Sequence, residues 1–422
     1  MTASTLGVLM LLILGWAVIS ERLARWNITA PLVFTVAGFL IANPSWGALP
    51  VDVEAPQVHL LAEVTLALLL FSDAARVDMA SLRRNLRVPG RLLGIGLPLS
   101  VLLGSLAAAL LFDDFTWALA GFIGAALAPT DAALSAQVIN DARIPLRVRL
   151  ALNVESGLND GIVTPVVVFM LSVAAGQLGA TDSDHADTVI GPLLELGIGI
   201  LVGAVIGLGS AKLIALGSRR RWMLSGGRRL AALTVPLSSF ALAVTLGGNG
   251  FIAAFVAGIA FGAALPRDMS DRDKVGELPE LVGEVLSFGV WFIFGAALVP
   301  IAFEYSSGST LVYAAVSLTL VRLLPVALAL LGARQDKATV LFMGWFGPRG
   351  LASVVFALLA VEELGQSEIV GKAVSVVAFT VFLSVILHGV SAGPLGSRYA
   401  GQYGDNVQAD GGPRARRQIH RQ

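Results

Sequence analysis

Residues 154–163 read VESGLNDGIV, which places Glu155, Ser156, Asn159 and Asp160 inside a mostly apolar segment from 150 to 175. A segment of this length can cross the hydrocarbon core of a membrane as one helix. An ionised side chain inside that core is costly unless it is paired or hydrated. The stretch therefore predicts a membrane-spanning helix that carries a polar site.

The composition of the whole chain agrees with a membrane setting. Of 422 residues, 56% are hydrophobic and 14% are charged, and the mean hydropathy is +0.79. This is more apolar than a soluble domain requires, so we predict an all-α polytopic membrane protein. The balance of 29 basic and 29 acidic residues argues against a nucleic-acid binder, and the absence of cysteine excludes thiolate metal sites and cysteine nucleophiles.

Thirteen stretches are long and apolar enough to be membrane spans. They cover residues 4–20, 29–43, 57–75, 91–112, 116–139, 150–175, 188–216, 229–246, 249–265, 278–302, 309–333, 338–361 and 368–393.

The loops between these spans predict their direction. Loops after odd-numbered spans are basic, as in ERLARW (21–26) and GSRRRWMLSGGRR (217–229), whereas intervening loops such as FEYSSGS (303–309) contain no lysine or arginine. Basic loops collect on the cytoplasmic side. We therefore expect the amino terminus outside, a transmembrane domain over 1–396 and a short cytoplasmic tail over 397–422, whose basic residues face anionic lipid.

Most charged residues within the spans lie near the span ends, where a long side chain reaches the interface. This explanation covers Glu63, Lys212, Glu284 and His388. A second group lies deeper and consists of Asp131, Glu155, Asp160, Arg322 and Arg349, while Asp73 lies towards the cytoplasmic end of span 3. Three deep acids against two arginines leave one negative charge that a cation can balance, and the alternative is a set of purely structural ion pairs.

The spacing in span 6 sorts its polar residues by face. Glu155 and Asn159 are four residues apart, as are Ser156 and Asp160, so the two pairs lie on adjoining faces of a helix. All four side chains can therefore line one cavity. Gly157 and Gly161, which lie between them, permit a neighbouring helix to approach closely.

Two further spans are broken at a similar depth. Span 5 contains ALAPTDAALSA (126–136) and span 12 contains GWFGPRGLASV (344–354). Proline removes a helix hydrogen bond, and non-helical backbone inside a membrane is tolerated where it is buried in protein or lines a cavity. Broken helices at the middle of the membrane are typical of secondary transporters, where they bind the coupling ion.

The two broken spans also predict an internal repeat. They differ in number by seven and so cross the membrane in opposite directions. Residues 4–175 and 229–393 would then be inverted repeats. The helix 188–216 would link them, and its Gly199, Gly203 and Gly207 form a stripe suited to close packing.

Four motifs, in this order along the chain, resemble those of the monovalent cation:proton antiporters of the NhaP and NHE type. They are APTDAA (128–133), ESGLNDGIVTP (155–165), GGNGFIAAFVAG (247–258) and GPRGLASVV (347–355). The resemblance covers essentially the whole chain. It implies that spans 5 and 12 are unwound and cross in mid-membrane, and that the protein is a homodimer with a mobile six-helix core.

The resemblance also implies residue roles. Asp160 would bind the cation or a proton, with Thr130 and Ser156 as further Na⁺ ligands and Asn159 and Glu155 shaping the site. Arg349 would pair with Glu155, while Asp131 and Arg322 would offset the charges at half-helix ends. Asp73 would lie near the ion path.

Together these features predict exchange of Na⁺, or Li⁺, for H⁺ by alternating access. Exclusion from water disfavours an ionised carboxylate, so a proton and Na⁺ would compete for Asp160. The Asn159–Asp160 pair resembles that of electroneutral exchangers, with one cation for one proton. We expect no cofactor, no nucleic-acid partner and a location in a bacterial inner membrane.

Three alternatives stay open at the level of sequence. A K⁺/H⁺ antiporter would have the same architecture, and an ion-coupled solute symporter would use similar broken helices. An intramembrane aspartyl protease would also need two membrane aspartates, but the chain has no GxGD motif. We therefore predict a transporter and not an enzyme.

Overall fold

A computed structural model describes residues 3–49, 51–53, 55–77, 87–179, 187–266, 269 and 272–410. Over these residues the chain forms helices and no strand. Thirteen consecutive helical spans follow the predicted ones. Their bounds are Ala3–Arg25, Ala30–Ala42, Pro56–Arg76, Arg87–Leu111, Trp117–Ala126 with Ala136–Ile139, Leu146–Gln177, Asp187–Arg219, Ser225–Thr245, Gly250–Ala264, Glu277–Glu304, Gly308–Leu318 with Leu320–Ala329, Lys337–Trp345 with Leu351–Leu364, and Glu368–Asp410.

The chain is thus an all-α polytopic membrane protein, as the hydropathy predicts. Within the described ranges, eight helices are long and apolar enough to cross a membrane unaided. Other spans, such as Ala30–Ala42 and Gly250–Ala264, are shorter apolar helices, and spans 5 and 12 consist of two pieces. A short helix, Arg272–Val275, precedes span 10.

The predicted breaks in spans 5 and 12 are present. In span 5 the helix ends at Ala126, and in span 12 residues 346–350 separate the two half-helices. Span 11 is also interrupted, at Thr319, whose φ of −115° and ψ of −85° are not helical. No proline or glycine lies beside Thr319, so this third break has no local signal in the sequence.

Glycines bring two pairs of spans into backbone contact. A Cβ atom on Gly38 of span 2 would overlap the carbonyl of Phe292 in span 10. A Cβ on Gly258 of span 9 would likewise overlap the carbonyl of Phe71 in span 3. If spans 1–6 are equivalent to spans 8–13, span 2 corresponds to span 9 and span 3 to span 10. The contact between spans 2 and 10 then corresponds to the contact between spans 9 and 3. Under the predicted inverted repeat, these two contacts would be equivalent.

Span 7 packs against span 9 as its glycine stripe predicts. A Cβ on Gly199, Gly203 or Gly207 would overlap a backbone carbonyl of residues 249–257. Close approach of this kind favours glycine at each turn of the interface.

The last helix differs from the prediction. It was expected to end near 393, with a tail from 397, but it continues without a break to Asp410. Tyr399 is buried, so the first part of the predicted tail packs against the protein. Residues 411–422 lie outside the described residues.

Candidate functional site

The unwound parts of spans 5 and 12 cross and satisfy each other's backbone groups. The amide of Asp131 donates to the carbonyl of Pro348 at 2.9 Å. The carboxylate of Asp131 accepts from the amide of Leu351 at 3.1 Å and from that of Ala133 at 2.7 Å. Leu351 is the first residue of the half-helix Leu351–Leu364, so Asp131 lies at its positive amino-terminal end, as the resemblance implies.

Arg349 satisfies the opposite end of the crossing. Its side chain, which is fully buried, donates to the carbonyls of Ala128 and Pro129 at 2.8 and 3.4 Å, and to that of Ser317 at 3.2 Å. These contacts place a positive charge at the carboxyl end of the half-helix Trp117–Ala126, where the helix dipole favours a cation.

The two arginines therefore have roles opposite to those predicted. Arg322, and not Arg349, pairs with Glu155, through Nη1 and Nη2 at 2.5 and 2.9 Å. Both side chains are almost fully buried. The predicted Arg349–Glu155 pair is wrong because the guanidinium of Arg349 is occupied by the exposed carbonyls of span 5. Gly347 makes room for the pair, since a Cβ there would overlap the Nε of Arg322.

The neutral polar residues of spans 5 and 6 form one cluster. The hydroxyls of Thr130 and Ser156 are 3.1 Å apart, and the amide nitrogen of Asn159 donates to Thr130 Oγ1 at 2.8 Å. All three residues are buried. The Oδ1 atom of Asn159 is buried and accepts no hydrogen bond within the described part of the chain.

Asp160 is the deep acid that has no such partner. No hydrogen bond from the described residues reaches its carboxylate. The carboxylates of Asp131 and Asp73 are close enough for their charges to act on Asp160, and the Cβ of Asp73 lies against Gly157, one turn from Asp160. Gly161 faces Phe255 of span 9 at close range, whereas Gly157 does not make the predicted close helix contact. Asp160 therefore lies near two further carboxylates, those of Asp73 and Asp131.

The exposure of span 6 shows where this site opens. Along one face of the helix, Asn153 is exposed, Gly157 and Asp160 are partly exposed, and Thr164 and Val167 are fully buried. In span 3, Arg76 is exposed, Asp73 is partly exposed and Leu66 is buried. The exposure around Asp160 therefore increases towards the amino-terminal end of span 6, which follows the basic loop after span 5.

Gly350 gives a direct test of the crossing. A Cβ at this position would occupy the place of the Asp131 carboxylate. We expect Gly350→Ala to displace Asp131 and to lower the free energy of unfolding by about 1–2 kcal/mol, the usual value of a lost helix cap. Thermal unfolding in detergent measures this change. Gly209→Ala is the matched control because open space surrounds that position, and equal stability of Gly350→Ala and the wild type would contradict the assignment.

Two residues that were not predicted as part of the site lie beside the unwound part of span 12. Ser384 accepts a hydrogen bond from the backbone amide of Arg349 at 2.7 Å. His388 was assigned to a span end, but its side chain is buried in the interior at 1% exposure. That assignment was wrong because the helix extends well beyond residue 393. The spacing of four residues between Ser384 and His388 was the available signal.

Comparison with known proteins agrees with this geometry. The family model described as "Sodium/hydrogen exchanger, transmembrane" matches residues 8–398. The chain belongs to this family. It is therefore a relative of transporters, as the motifs of spans 5, 6 and 12 indicate.

Individual members of the sodium/hydrogen exchanger family show the extent of the similarity. The Na(+)/H(+) antiporter NhaP of Pseudomonas aeruginosa is 28% identical, and the match covers 79% of this chain and 80% of that protein. The K(+)/H(+) antiporter NhaP of Alkalimonas amylolytica is 26% identical over 85% of this chain, which spans only 60% of that relative's length. The sodium proton antiporter MjNhaP1 from Methanocaldococcus jannaschii shares the fold with a TM-score of 0.76 at 20% identity, covering 91% of this chain and 98% of that chain.

Proposed function

We propose that this chain exchanges Na⁺ or Li⁺ for H⁺ and that the two cations compete for Asp160. The observation that carries the proposal is the unbalanced Asp160 carboxylate, because each of the other deep charges on spans 5, 6, 11 and 12 has a partner. Glu155 is paired with Arg322, Asp131 caps a half-helix and Arg349 is bound by carbonyls. A carboxylate within a membrane span that has no such partner requires a cation or a proton.

The groups around Asp160 suit a hard cation. The hydroxyls of Thr130 and Ser156 supply neutral oxygens, and Ser156 lies on the same helical face as Asp160. The free Oδ1 of Asn159 is a further oxygen nearby. Oxygen donors of this kind bind alkali cations, whereas nitrogen and sulfur donors do not select them. Asp73 lies where an approaching cation would pass.

Alternating access follows from the cost of an empty site. If the core changed sides with an ionised and unoccupied Asp160, it would carry an unbalanced charge through the membrane. Either cation removes that charge. The core therefore changes sides when Na⁺ or a proton is bound, and this requirement couples the two fluxes. With the basic loops in the cytoplasm, the more exposed end of the site described above faces inwards.

The stoichiometry that we propose is one cation for one proton. Asn159 is neutral and donates its amide to Thr130, so the neighbouring pair in span 6 contributes one titrating carboxylate. Asp131 accepts hydrogen bonds from two backbone amides and is not a transport site in this scheme. Electroneutral exchange is the consequence.

A K⁺/H⁺ antiporter is the second candidate. Relatives that carry this description include those of Alkalimonas amylolytica and Shewanella sp. (strain MR-4), of whose lengths the chain spans 60% and 57%. We further propose that the protein is a homodimer in a bacterial inner membrane, with the orientation that the basic loops indicate.

Proteoliposomes test the function. A pH gradient is imposed and its collapse is followed after addition of Na⁺, Li⁺ or K⁺, with valinomycin and equal K⁺ on both sides when Na⁺ and Li⁺ are tested. We expect Na⁺ and Li⁺ to collapse the gradient at the same initial rate with and without valinomycin, since the exchange is electroneutral. Collapse by K⁺ alone would favour the second candidate, and a gradient that no cation collapses at any pH would overturn the proposal.

A further inference from the structure

The part of the last helix from Ser384 to Tyr403 faces the half-helix Lys337–Trp345 and the unwound segment of span 12. Five residues of the last helix make polar or aromatic contacts along this seam. They are Ser384 with the Arg349 amide, His388 with the Trp345 carbonyl, Ser391 with the Trp345 indole, Tyr399 with Thr339 and Phe342, and Tyr403 with Asp336.

The end of the seam nearest the ion site contacts the unwound segment 346–350 at two points. The amide of Arg349 donates to Ser384 Oγ at 2.7 Å, and Ser384 Oγ lies 3.2 Å from His388 Nδ1. His388 Nε2 lies 2.9 Å from the carbonyl of Trp345, the last residue of the half-helix Lys337–Trp345. The two residues therefore bind the backbone immediately before and within the unwound segment.

Both ring nitrogens of His388 face backbone carbonyls, Nε2 that of Trp345 and Nδ1 that of Ser384, each at 2.9 Å. A neutral imidazole carries one proton, and the tautomer with that proton on Nε2 donates to the Trp345 carbonyl and leaves Nδ1 to accept the hydroxyl proton of Ser384. In this tautomer Ser384 Oγ keeps a lone pair for the Arg349 amide, and the contact between Nδ1 and the Ser384 carbonyl is not a hydrogen bond. The ring of His388 also stacks on that of Trp345 at 5.1 Å.

The segment that they hold is continuous with the ion site. Pro348 accepts the backbone amide of Asp131, and Asp131 follows Thr130, which contacts Ser156 and Asn159. A shift of residues 346–350 would therefore act on Thr130 through the hydrogen bond between Asp131 and Pro348. Buried polar chains of this type hold a single arrangement only when every member is satisfied.

We propose that Ser384 and His388 are positioning residues that fix the unwound segment of span 12 and, through it, the oxygen of Thr130. The proposal rests on the function proposed above as far as cation binding is concerned. Its structural part, the anchoring of residues 346–350, does not depend on transport.

Four variants separate anchoring from general packing. Ser384→Ala removes the acceptor of the Arg349 amide, and His388→Phe keeps the stacked ring but removes both nitrogens. His388→Gln restores a donor towards the Trp345 carbonyl and an acceptor for Ser384. Thr380→Val is the matched control, because Thr380 is equally buried one turn earlier and bonds only to Val376 of its own helix.

Hydrogen–deuterium exchange of the peptide that contains residues 346–351 is the first readout. We expect Ser384→Ala and His388→Phe to exchange about fivefold faster than the wild type, the factor that one lost hydrogen bond gives. His388→Gln and Thr380→Val should exchange at the wild-type rate. If Ser384→Ala does not fold, Ser384→Cys, which keeps the volume with a weaker acceptor, carries the same test. Equal exchange in all variants, or faster exchange in Thr380→Val as well, would overturn the proposal.

The apparent KM for Na⁺ in proteoliposomes is the second readout. Displacement of Thr130 should raise the KM of Ser384→Ala and His388→Phe with little change in kcat, and His388→Gln should recover the wild-type KM. An unchanged KM in both deleting variants would contradict the link to the ion site. Absence of exchange in the wild type would instead overturn the proposed function and leave the deuterium result to decide the anchoring.

Discussion

Asp160→Ala is expected to abolish cation-dependent collapse of a pH gradient, to the level of protein-free liposomes. The carboxylate is the group for which both cations compete in the proposed mechanism, so no other side chain replaces it. The same variant should unfold at an equal or higher temperature than the wild type. The reason is that removal of the Asp160 carboxylate eliminates an unpaired charge and its repulsion by Asp73 and Asp131.

The two measurements together make this prediction specific. Exchange is followed in proteoliposomes, and unfolding is followed by differential scanning fluorimetry in detergent. Asp113→Asn is the matched control because Asp113 is exposed in a loop between spans 4 and 5, and it should alter neither quantity. Retained exchange in Asp160→Ala would remove the basis of the mechanism, and a large loss of stability would show that Asp160 has a structural partner.

Arg322→Ala should have the largest effect on stability. It leaves Glu155 buried and ionised without its bidentate partner. Removal of one member of a buried ion pair typically costs about 3–5 kcal/mol. Unfolding in a titration with denaturing detergent, compared with the wild type, measures this loss.

A double variant tests which arginine is the partner. Replacing Glu155 and Arg322 together with Leu and Met removes both charges, and such replacements are often neutral for stability. We therefore expect Glu155→Leu to rescue Arg322→Met and not to rescue Arg349→Ala, since Arg349 binds carbonyls and not Glu155. If Glu155→Leu rescued Arg349→Ala and not Arg322→Met, the result would support the pairing of Arg349 with Glu155 that the sequence resemblance implied.

The number of spans and the two proline breaks were predictable from the sequence because both follow from local rules. Apolar length determines a span, and proline removes a hydrogen bond within its own helix. The glycine stripe of span 7 was predictable for the same reason. The break at Thr319 was not, since its hydroxyl bonds to the carbonyl of Ala315 and its neighbours carry no local signal.

The pairing of the arginines needed information that one sequence does not contain. Arg322 and Arg349 occupy a similar depth, and the rotation of each helix determines which one reaches Glu155. Arg349 binds the carbonyls that are freed by the break at Pro129. This pairing follows from the crossing of spans 5 and 12, which the sequence alone does not show. His388 was misplaced for a simpler reason. The end of the last helix was set by hydropathy, although the helix continues as a packed, polar extension to Asp410.

The dependence of the apparent KM for Na⁺ on pH tests the central claim most directly. If one proton competes with one Na⁺ for Asp160, the KM should rise by about tenfold for each unit that the pH falls below the titration of the site, while the maximal rate at saturating Na⁺ stays constant. A KM that does not change with pH, with a maximal rate that does, would show that the proton acts at another group and would contradict a shared site.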